Sequence, residues 1–417
     1  MAQLKDDCFA FGGALMPFDE ALEQLADRVT PVAAIETAVL ADALGRVLAE
    51  NITASRDVPP NDNSAVDGYA VFFDDLNADT ETKLPVGGRV AAGHPLQRSA
   101  VRGEAIRIFT GAPMPAGMDT VFMEEDCTAE DNQVILPAGL ACGANRRHQG
   151  EDVKTGEVVI STGQKLRPQE LGLAASVGRS TLSVYAPLRT AVFSTGDEVR
   201  DPADDAPEGC IFDANRYAVM GLLKDMGCQV TDLGILADDE DSMAAALAEA
   251  ATTHDVLLTS GGVSAGEEDH VKAAVEQNGQ IHFWRLSIKP GRPIALGQVG
   301  DAAFVGLPGN PVAAMVTFMV LARPMLLRLA GASALKARRY PVTCGFDYRK
   351  KTGRREWVRA RLLVENGNLV AQKYKSGGSG ILTSMVFADG LVELLEERAD
   401  VKLGESVDFL PFNEVTR

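Results

Sequence analysis

A glycine-rich loop closed by acids, Thr259-Ser-Gly-Gly-Val-Ser-Ala-Gly-Glu-Glu-Asp269, follows directly on the apolar run Asp255-Val-Leu-Leu258 and precedes a helix-like segment. A strand that empties into such a loop leaves backbone N–H groups, here those of Gly261, Gly262 and Ser264, free for anionic oxygens, and leaves Asp269 free for a cation. Alone, a glycine turn between strand and helix is ordinary connection chemistry. The pattern recurs, however: Thr190-Ala-Val-Phe193 runs into Ser194-Thr-Gly-Asp-Glu198, which carries Gly196 and Glu198, and Ala303-Phe-Val305 runs into Gly306-Leu-Pro-Gly-Asn-Pro311, which carries Pro308 and Gly309. In an open parallel sheet the carboxyl ends of the strands share one edge, where ligands bind. Three such loops on one edge predict a site for phosphate and a metal ion.

Further candidates lie around these loops. Asp238-Asp-Glu-Asp241 follows the apolar run Val230–Leu236; Asp238 is a candidate ligand, whereas Asp239 or Asp241 can serve simply as a helix cap. Arg285 and Lys289, four residues apart on an extended run, are expected to share a face. Asp67, set against Gly68 at a strand entrance, is a carboxylate that can be held rigidly, and Thr110-Gly111 ends another apolar run with a hydroxyl and N–H groups suited to an oxyanion. The ordinary reading of Thr110-Gly111 is a proline-stiffened turn. Arg146-Arg-His-Gln-Gly-Glu-Asp152 mixes cations with acids; surface ion pairs explain most such runs, but guanidinium is also the preferred oxyanion ligand. Arg354-Arg-Glu-Trp357 and Ser376-Gly-Gly-Ser-Gly380 could contact a ligand, but an edge strand and a flexible loop are the simpler reading. A hard cation such as Mg²⁺ takes carboxylate oxygens and bridges them to phosphates. No Ser-His-Asp arrangement appears among the dispersed histidines, and no nucleophile is assigned.

The elements that must position these residues follow from periodicity. At 417 residues the chain has room for two to four domains. Pro17 to Leu48 carries helix-like spacing in two pieces, Ala21, Leu22, Leu25 and Val29 on one face, then Ala38, Ala41, Leu44 and Leu48. From Ile52 to about Gly156 short β-rich runs are broken by Pro and Gly, and Gln169 to Val177 returns to helical spacing. From Arg189 to about Ala330 strands and helices alternate, with helices at 215–225, 241–253, 270–277 and 311–329, which predicts a mostly parallel sheet covered on both faces. After Tyr340 the pattern is β-like again. The domains expected are therefore 1–54 with 157–187 as a helical and linker unit, 55–156 as an inserted β domain, 188–334 as an α/β domain and 335–417 as a small β domain.

Net charge is −18, which argues against non-specific nucleic-acid or anionic-membrane binding. The N-terminus lacks a basic stretch followed by a sustained apolar one, and the apolar segment Val312–Ala322 is too short to span a bilayer and is expected to stop at Arg323-Pro324. Six cysteines show no metal-site spacing and read as reduced thiols in a cytoplasmic protein.

Assembled, these blocks resemble the MoeA family, the molybdopterin molybdenumtransferases, to which the E domain of gephyrin also belongs. The resemblance spans nearly the whole chain and rests on Pro60-Asn-Asp-Asn-Ser-Ala-Val-Asp-Gly-Tyr-Ala70, Thr110-Gly-Ala-Pro-Met-Pro115, Gly150-Glu-Asp152, Ser194-Thr-Gly-Asp-Glu198, Ser260-Gly-Gly-Val-Ser-Ala-Gly266 with Asp269, Lys289-Pro-Gly291 and Leu307-Pro-Gly-Asn-Pro311. It implies cleavage of adenylylated molybdopterin with insertion of molybdenum from molybdate and release of AMP, dependent on Mg²⁺ or another divalent metal. It implies Glu198, Asp238 and Asp269 around metal and pterin phosphate, Asp67 and Asp152 across the cleft with Thr110, and Arg147, Arg285 and Lys289 as anion ligands. The fold implied is an α/β domain of the MoaB and MogA kind with a helical segment, an inserted β domain and a C-terminal β barrel, in a homodimer whose active site lies between the two chains. Molybdoenzymes or other proteins of the cofactor pathway are the implied macromolecular partners. Arg285 stands where the family commonly has Lys, and the run at Arg146 has fewer cations than is common, so oxyanion placement follows less directly than phosphate placement. A molybdopterin adenylyltransferase shares the Gly-Gly-Val-Ser loop but lacks the flanking domains. A non-catalytic carrier or scaffold has no need of the acids at 67, 152, 198, 238 and 269.

Overall fold

The computed structural model describes residues 15–262 and 270–416; Ser264 and Asp269 therefore lie outside the described residues. Its centre is a six-stranded sheet in the spatial order Gln229–Ile235, Arg189–Ser194, Val256–Ser260, Ala302–Leu307, Pro293–Val299, Gly279–Arg285. The first four are parallel neighbours. The last two form an antiparallel hairpin on the far edge, joined antiparallel to the strand Ala302–Leu307. Val256–Ser260 and Ala302–Leu307 are buried throughout, as strands covered on both faces must be. The sequence showed them as unbroken apolar runs for that reason.

Helices Ala214–Met226, Glu240–Ala251 and His270–Asn278 cover the sheet where alternation predicted them. The helical run spans Pro311–Leu329 as expected and passes through Arg323-Pro324. Residues Phe318–Ala322 form a π turn just ahead of Pro324. A widened turn relieves the clash and the missing N–H that proline would impose on a regular α-helix. The run is long and apolar enough to cross a membrane, but 83% of its most apolar window is buried within the protein, so it is a core helix.

The second helix expected before Leu48 does not form. Ile35–Val39 is a strand, paired antiparallel with Thr181–Tyr185, with Ala38 opposite Leu182, and Leu40–Asp42 is a single 3-10 turn. The β-branched residues Ile35, Thr37 and Val39 favour extended backbone, and a partner strand more than 140 positions away along the chain decides the outcome.

Residues 68–136 build a separate six-stranded sheet with its own buried clusters, centred on Ile106 and Val121 on one face and Phe122 and Val134 on the other. After residue 340 the strands Arg355–Glu365, Asn368–Lys373, Tyr340–Cys344, Ser406–Pro411 and Gly390–Leu394 close into a barrel, the ring being completed by pairing of the first with the last. The largest core cluster runs continuously from helix Phe18–Arg28 through the central sheet into this barrel. Phe18 meets Trp357 edge to face at 4.8 Å, a contact worth about 1 kcal/mol beyond its burial. Arg355, nearly buried, bonds Asp19 at 2.7 Å and Glu396 at 3.0 Å. The barrel is thereby fixed over the carboxyl ends of the central strands.

Candidate functional site

The three strand ends converge as the sequence predicted. Ser260 follows Val256–Thr259 beside Leu307 in parallel register, and Phe193 lies beside Thr259. Asn215, near the start of helix Ala214–Met226, latches the loops: its side-chain amide donates to Ser260 Oγ at 2.9 Å and to the Gly309 carbonyl at 2.7 Å. Ser260 Oγ in turn donates to the Pro308 carbonyl at 3.0 Å. Gly261 and Gly262 take positive φ, +94° and +62°. At Gly262 a Cβ would sit 2.7 Å from Val271 and 2.9 Å from Thr195, so only glycine fits.

Two chambers open at these ends and share Glu198, Gly261, Gly262 and Gly309 as a common wall. The smaller, about 290 Å³, is also lined by Ser194, Gly196 and Asp238. Asp238 accepts from Thr195 Oγ1 at 3.1 Å, and the neighbouring Asp239 caps the helix Glu240–Ala251 through Ser242 N–H at 3.0 Å. The acidic run thus splits into one chamber residue and one cap. The Ser194 hydroxyl, 2% exposed, has no hydrogen-bond partner among the described residues. Gly196 has φ +127°, and a Cβ there would approach Glu198 Oε2 to 2.7 Å. Gly196→Ala is therefore expected to displace the Glu198 carboxylate and lower turnover at least about tenfold, while the melting temperature shifts by no more than a few degrees. Steady-state rates beside a thermal melt check this.

The larger chamber, about 600 Å³, lies between these loops and the barrel. Lys289 reaches it with Arg292, Arg354, Arg359 and Lys373. Glu356, a carboxylate only 1% exposed, accepts from Tyr348 OH at 2.8 Å, from Arg354 at 2.7 Å and from Lys289 Nζ at 3.3 Å. Burial pushes the Tyr348 phenol above its ordinary value, so it stays a proton donor. Arg359 donates to Ser384 Oγ at 3.1 Å and to the Gly378 carbonyl at 3.0 Å, and burial draws its guanidinium below its ordinary value. A chamber with several cations and one buried counter-charge suits a polyanion.

The reading of Arg354-Arg-Glu-Trp357 as an edge strand is corrected. Glu356 pairs with Lys289 on one side and Leu394 on the other, and Ser376, Gly377 and Ser379, in a loop, line the large chamber. Arg285 and Lys289 do not share a strand face. Arg285 ends the hairpin strand of the central sheet, whereas Lys289 belongs to Ile288–Lys289, which pairs with Arg355-Glu356 of the barrel. The chain turns between them at Leu286-Ser287, and Arg285 lines neither chamber.

Asp67, Thr110, Arg147 and Asp152 are all exposed and line neither chamber. Asp67 is held as expected: its Oδ1 accepts from Thr110 N–H and Thr110 Oγ1, both at 2.7 Å. The backbone bond first, then the hydroxyl, keep this carboxyl below its ordinary 3.8. A depressed carboxylate favours the folded turn at pH above the ordinary value, and that contribution fades as pH falls through the lower folded value. Thr110→Val, which removes the hydroxyl alone, is expected to raise the Asp67 pKa toward the ordinary value in a carboxyl NMR titration; no change would show that the hydroxyl does not act on Asp67.

Residues 16–178 match the MoeA N-terminal region (domains I and II), 191–328 a probable molybdopterin binding domain, and 341–412 the MoeA C-terminal region (domain IV). The chain is 37% identical over 404 residues to a molybdopterin molybdenumtransferase of Haemophilus influenzae, covering 96% of this chain and 100% of that one. It is 32% identical over 377 residues to molybdopterin molybdenumtransferase 2 of Mycobacterium tuberculosis, covering 88% and 93%. Among solved structures it is similar to the molybdopterin biosynthesis MoeA protein of Pyrococcus horikoshii, with TM-score 0.81 and 30% identity over 95% of this chain and 100% of that chain.

Proposed function

Because the chain belongs to the MoeA family of molybdopterin molybdenumtransferases, we propose that it transfers molybdenum from molybdate to adenylylated molybdopterin, with release of AMP, in molybdenum cofactor synthesis. The observation that carries this reading is the pair of connected chambers, one edged by carboxylates and glycine N–H groups and one lined by cations. A substrate that joins a phosphate-bearing pterin to an adenylyl group and must meet an oxyanion needs both environments.

The loops at Gly261 and Gly262 offer backbone close enough for phosphate oxygens to approach, and Lys289, Arg354 and Arg359 hold anionic oxygens in the larger chamber. Glu356 keeps two of these cations in place by hydrogen bonds, so their geometry is set before the ligand arrives. Arg285, exposed and outside both chambers, is assigned to the approach of anions at the rim.

The smaller chamber offers the carboxylates of Glu198 and Asp238 and the Ser194 hydroxyl, with the imidazole of His270 also at its wall and Asp213 taken up by Arg216. No cluster of three ligating side chains occurs among the described residues, but Mg²⁺ commonly takes one or two carboxylates together with substrate phosphates. The donor set therefore fits Mg²⁺ held by Glu198 and Asp238, with Asp269 as the third carboxylate. When bound, the ion offsets the negative charge that builds on the linkage as AMP departs.

Asp67, Thr110, Arg147 and Asp152, exposed and lining neither chamber, are assigned to closing the same site on a second copy of the chain, which makes the functional unit a homodimer. The five described cysteines are unpaired, in keeping with a reducing compartment, and we assign the protein to the cytoplasm. The reading is tested by supplying the purified protein with adenylylated molybdopterin and molybdate and adding a cofactor-free molybdoenzyme as acceptor. Appearance of acceptor activity that requires this protein supports transfer, and its absence with an active acceptor control refutes it.

A further inference from the structure

The inserted β sheet carries a row of cations that neither chamber uses. Tyr69, Arg107 and Arg89 lie side by side on three adjacent strands, Arg107 opposite Tyr69 on one side and Arg89 on the other. Phe109, two positions beyond Arg107, projects to the same face. The Arg89 guanidinium lies 4.5 Å from the Phe109 ring centre and that of Arg107 lies 4.9 Å from the same ring, with Tyr69 5.1 Å from Arg107. Arg107 is also paired with Glu124 and donates to the Gly68 carbonyl at 3.3 Å. Arg89 is exposed, and among the described residues it has Phe109 as its partner and no carboxylate.

Like charges directly across a strand pair are unfavourable, and here a single glutamate offsets two arginines in a chain of net charge −18. The row abuts the Asp67–Thr110 turn, since Thr110 follows Phe109 and Gly68 follows Asp67. A planar cation stacked on one ring and open on its outer side is a platform for a second planar group, and two adjacent guanidinium groups attract a phosphate.

We propose that Arg89, Phe109 and Arg107, on the inserted sheet that a second copy of the chain brings to the chambers, form a binding face for the adenine nucleotide half of the substrate, the base stacking on Arg89 and the phosphate drawn to the arginine pair. This rests on the transferase reading for the identity of the nucleotide and deepens it by assigning the inserted domain a substrate-binding role. A phosphorylated pterin shares the planar, anionic character, so the test separates the two. Binding of AMP, adenosine, inorganic phosphate and molybdopterin lacking the adenylyl group is measured by calorimetry on the full chain and on Arg89→Ala and Arg89→Lys. Arg89→Ala is expected to weaken AMP roughly threefold to thirtyfold, with Arg89→Lys recovering only part of the loss because it restores charge without the plane. Adenosine and phosphate alone should bind more weakly than AMP. Unchanged AMP affinity in Arg89→Ala, or a loss confined to molybdopterin lacking the adenylyl group, would overturn the proposal. Molybdate-dependent AMP release by the unaltered chain, measured alongside, keeps the two claims apart: turnover with unchanged AMP affinity in Arg89→Ala removes the nucleotide face alone, whereas Arg89-dependent AMP binding without turnover removes the transferase reading alone.

Discussion

Asp238→Asn is expected to lower the rate of AMP release about a hundredfold or more, with substrate affinity changed far less. The substitution keeps size and hydrogen-bonding reach, so the Thr195 Oγ1 contact at 3.1 Å can persist through the amide oxygen. What it removes is the charge at a chamber where, Asp213 being committed to Arg216, Asp238 and Glu198 are the described carboxylates that can face a cation beside glycine N–H groups. Interactions aimed at charge that develops in the transition state are worth about two to three orders of magnitude in rate when one is removed, and they act on kcat more than on KM. Raising the Mg²⁺ concentration should recover part of the loss if the carboxylate serves the ion. Full activity in the variant would remove Asp238 from the account.

Arg216→Met is expected to destabilise the protein by about 3–5 kcal/mol. Arg216 is 3% exposed and sits among Asp213, Asp232 and Asp201, with Nε 2.9 Å from Asp213 Oδ2 and close ion pairs to the other two. Burial opposes the charge, yet the carboxylates hold the guanidinium above its ordinary value. Methionine fills the volume but leaves Asp213, 4% exposed, without its counter-charge. The same residue clamps the segment 201–213, whose strand Ile211–Phe212 pairs with Val199-Arg200 immediately after Glu198. Denaturant unfolding should therefore show the loss of stability, and turnover at low temperature, where the variant stays folded, should fall as well. A change below about 1 kcal/mol would place the cluster among exposed ion pairs of little consequence.

Much of the site was legible in the sequence because its backbone half is local. A short apolar run followed by Gly, Pro and an acid can be read within ten residues, and Ser194 to Glu198, Ser260 to Gly262 and Leu307 to Pro311 fall at parallel strand ends accordingly. The separation of Asp238 as chamber residue from Asp239 as cap was open in the sequence and is decided by where the helix begins. The cationic half was hidden because it is built across distant positions. Lys289 meets Glu356 only through a parallel pairing with a barrel strand 67 residues on, and Arg354, Arg359 and Lys373 gain their meaning from a barrel that closes on itself. Even spacing at Arg285 and Lys289 misled because the chain changes sheets between them. Asn215 gave no signal beyond its place behind a helix cap, although its amide joins two of the loops. The strand Ile35–Val39 was missed for the converse reason: alanine-rich helical spacing outweighed three alternating β-branched residues whose partner lay far along the chain.

The most direct test of the central claim is AMP release from adenylylated molybdopterin by the purified protein, measured with and without molybdate and with and without Mg²⁺. The account predicts AMP formation that requires both molybdate and the metal and that is lost in Asp238→Asn. Tight binding of adenylylated molybdopterin with no AMP formed under any of these conditions would contradict it and leave a carrier in place of a transferase.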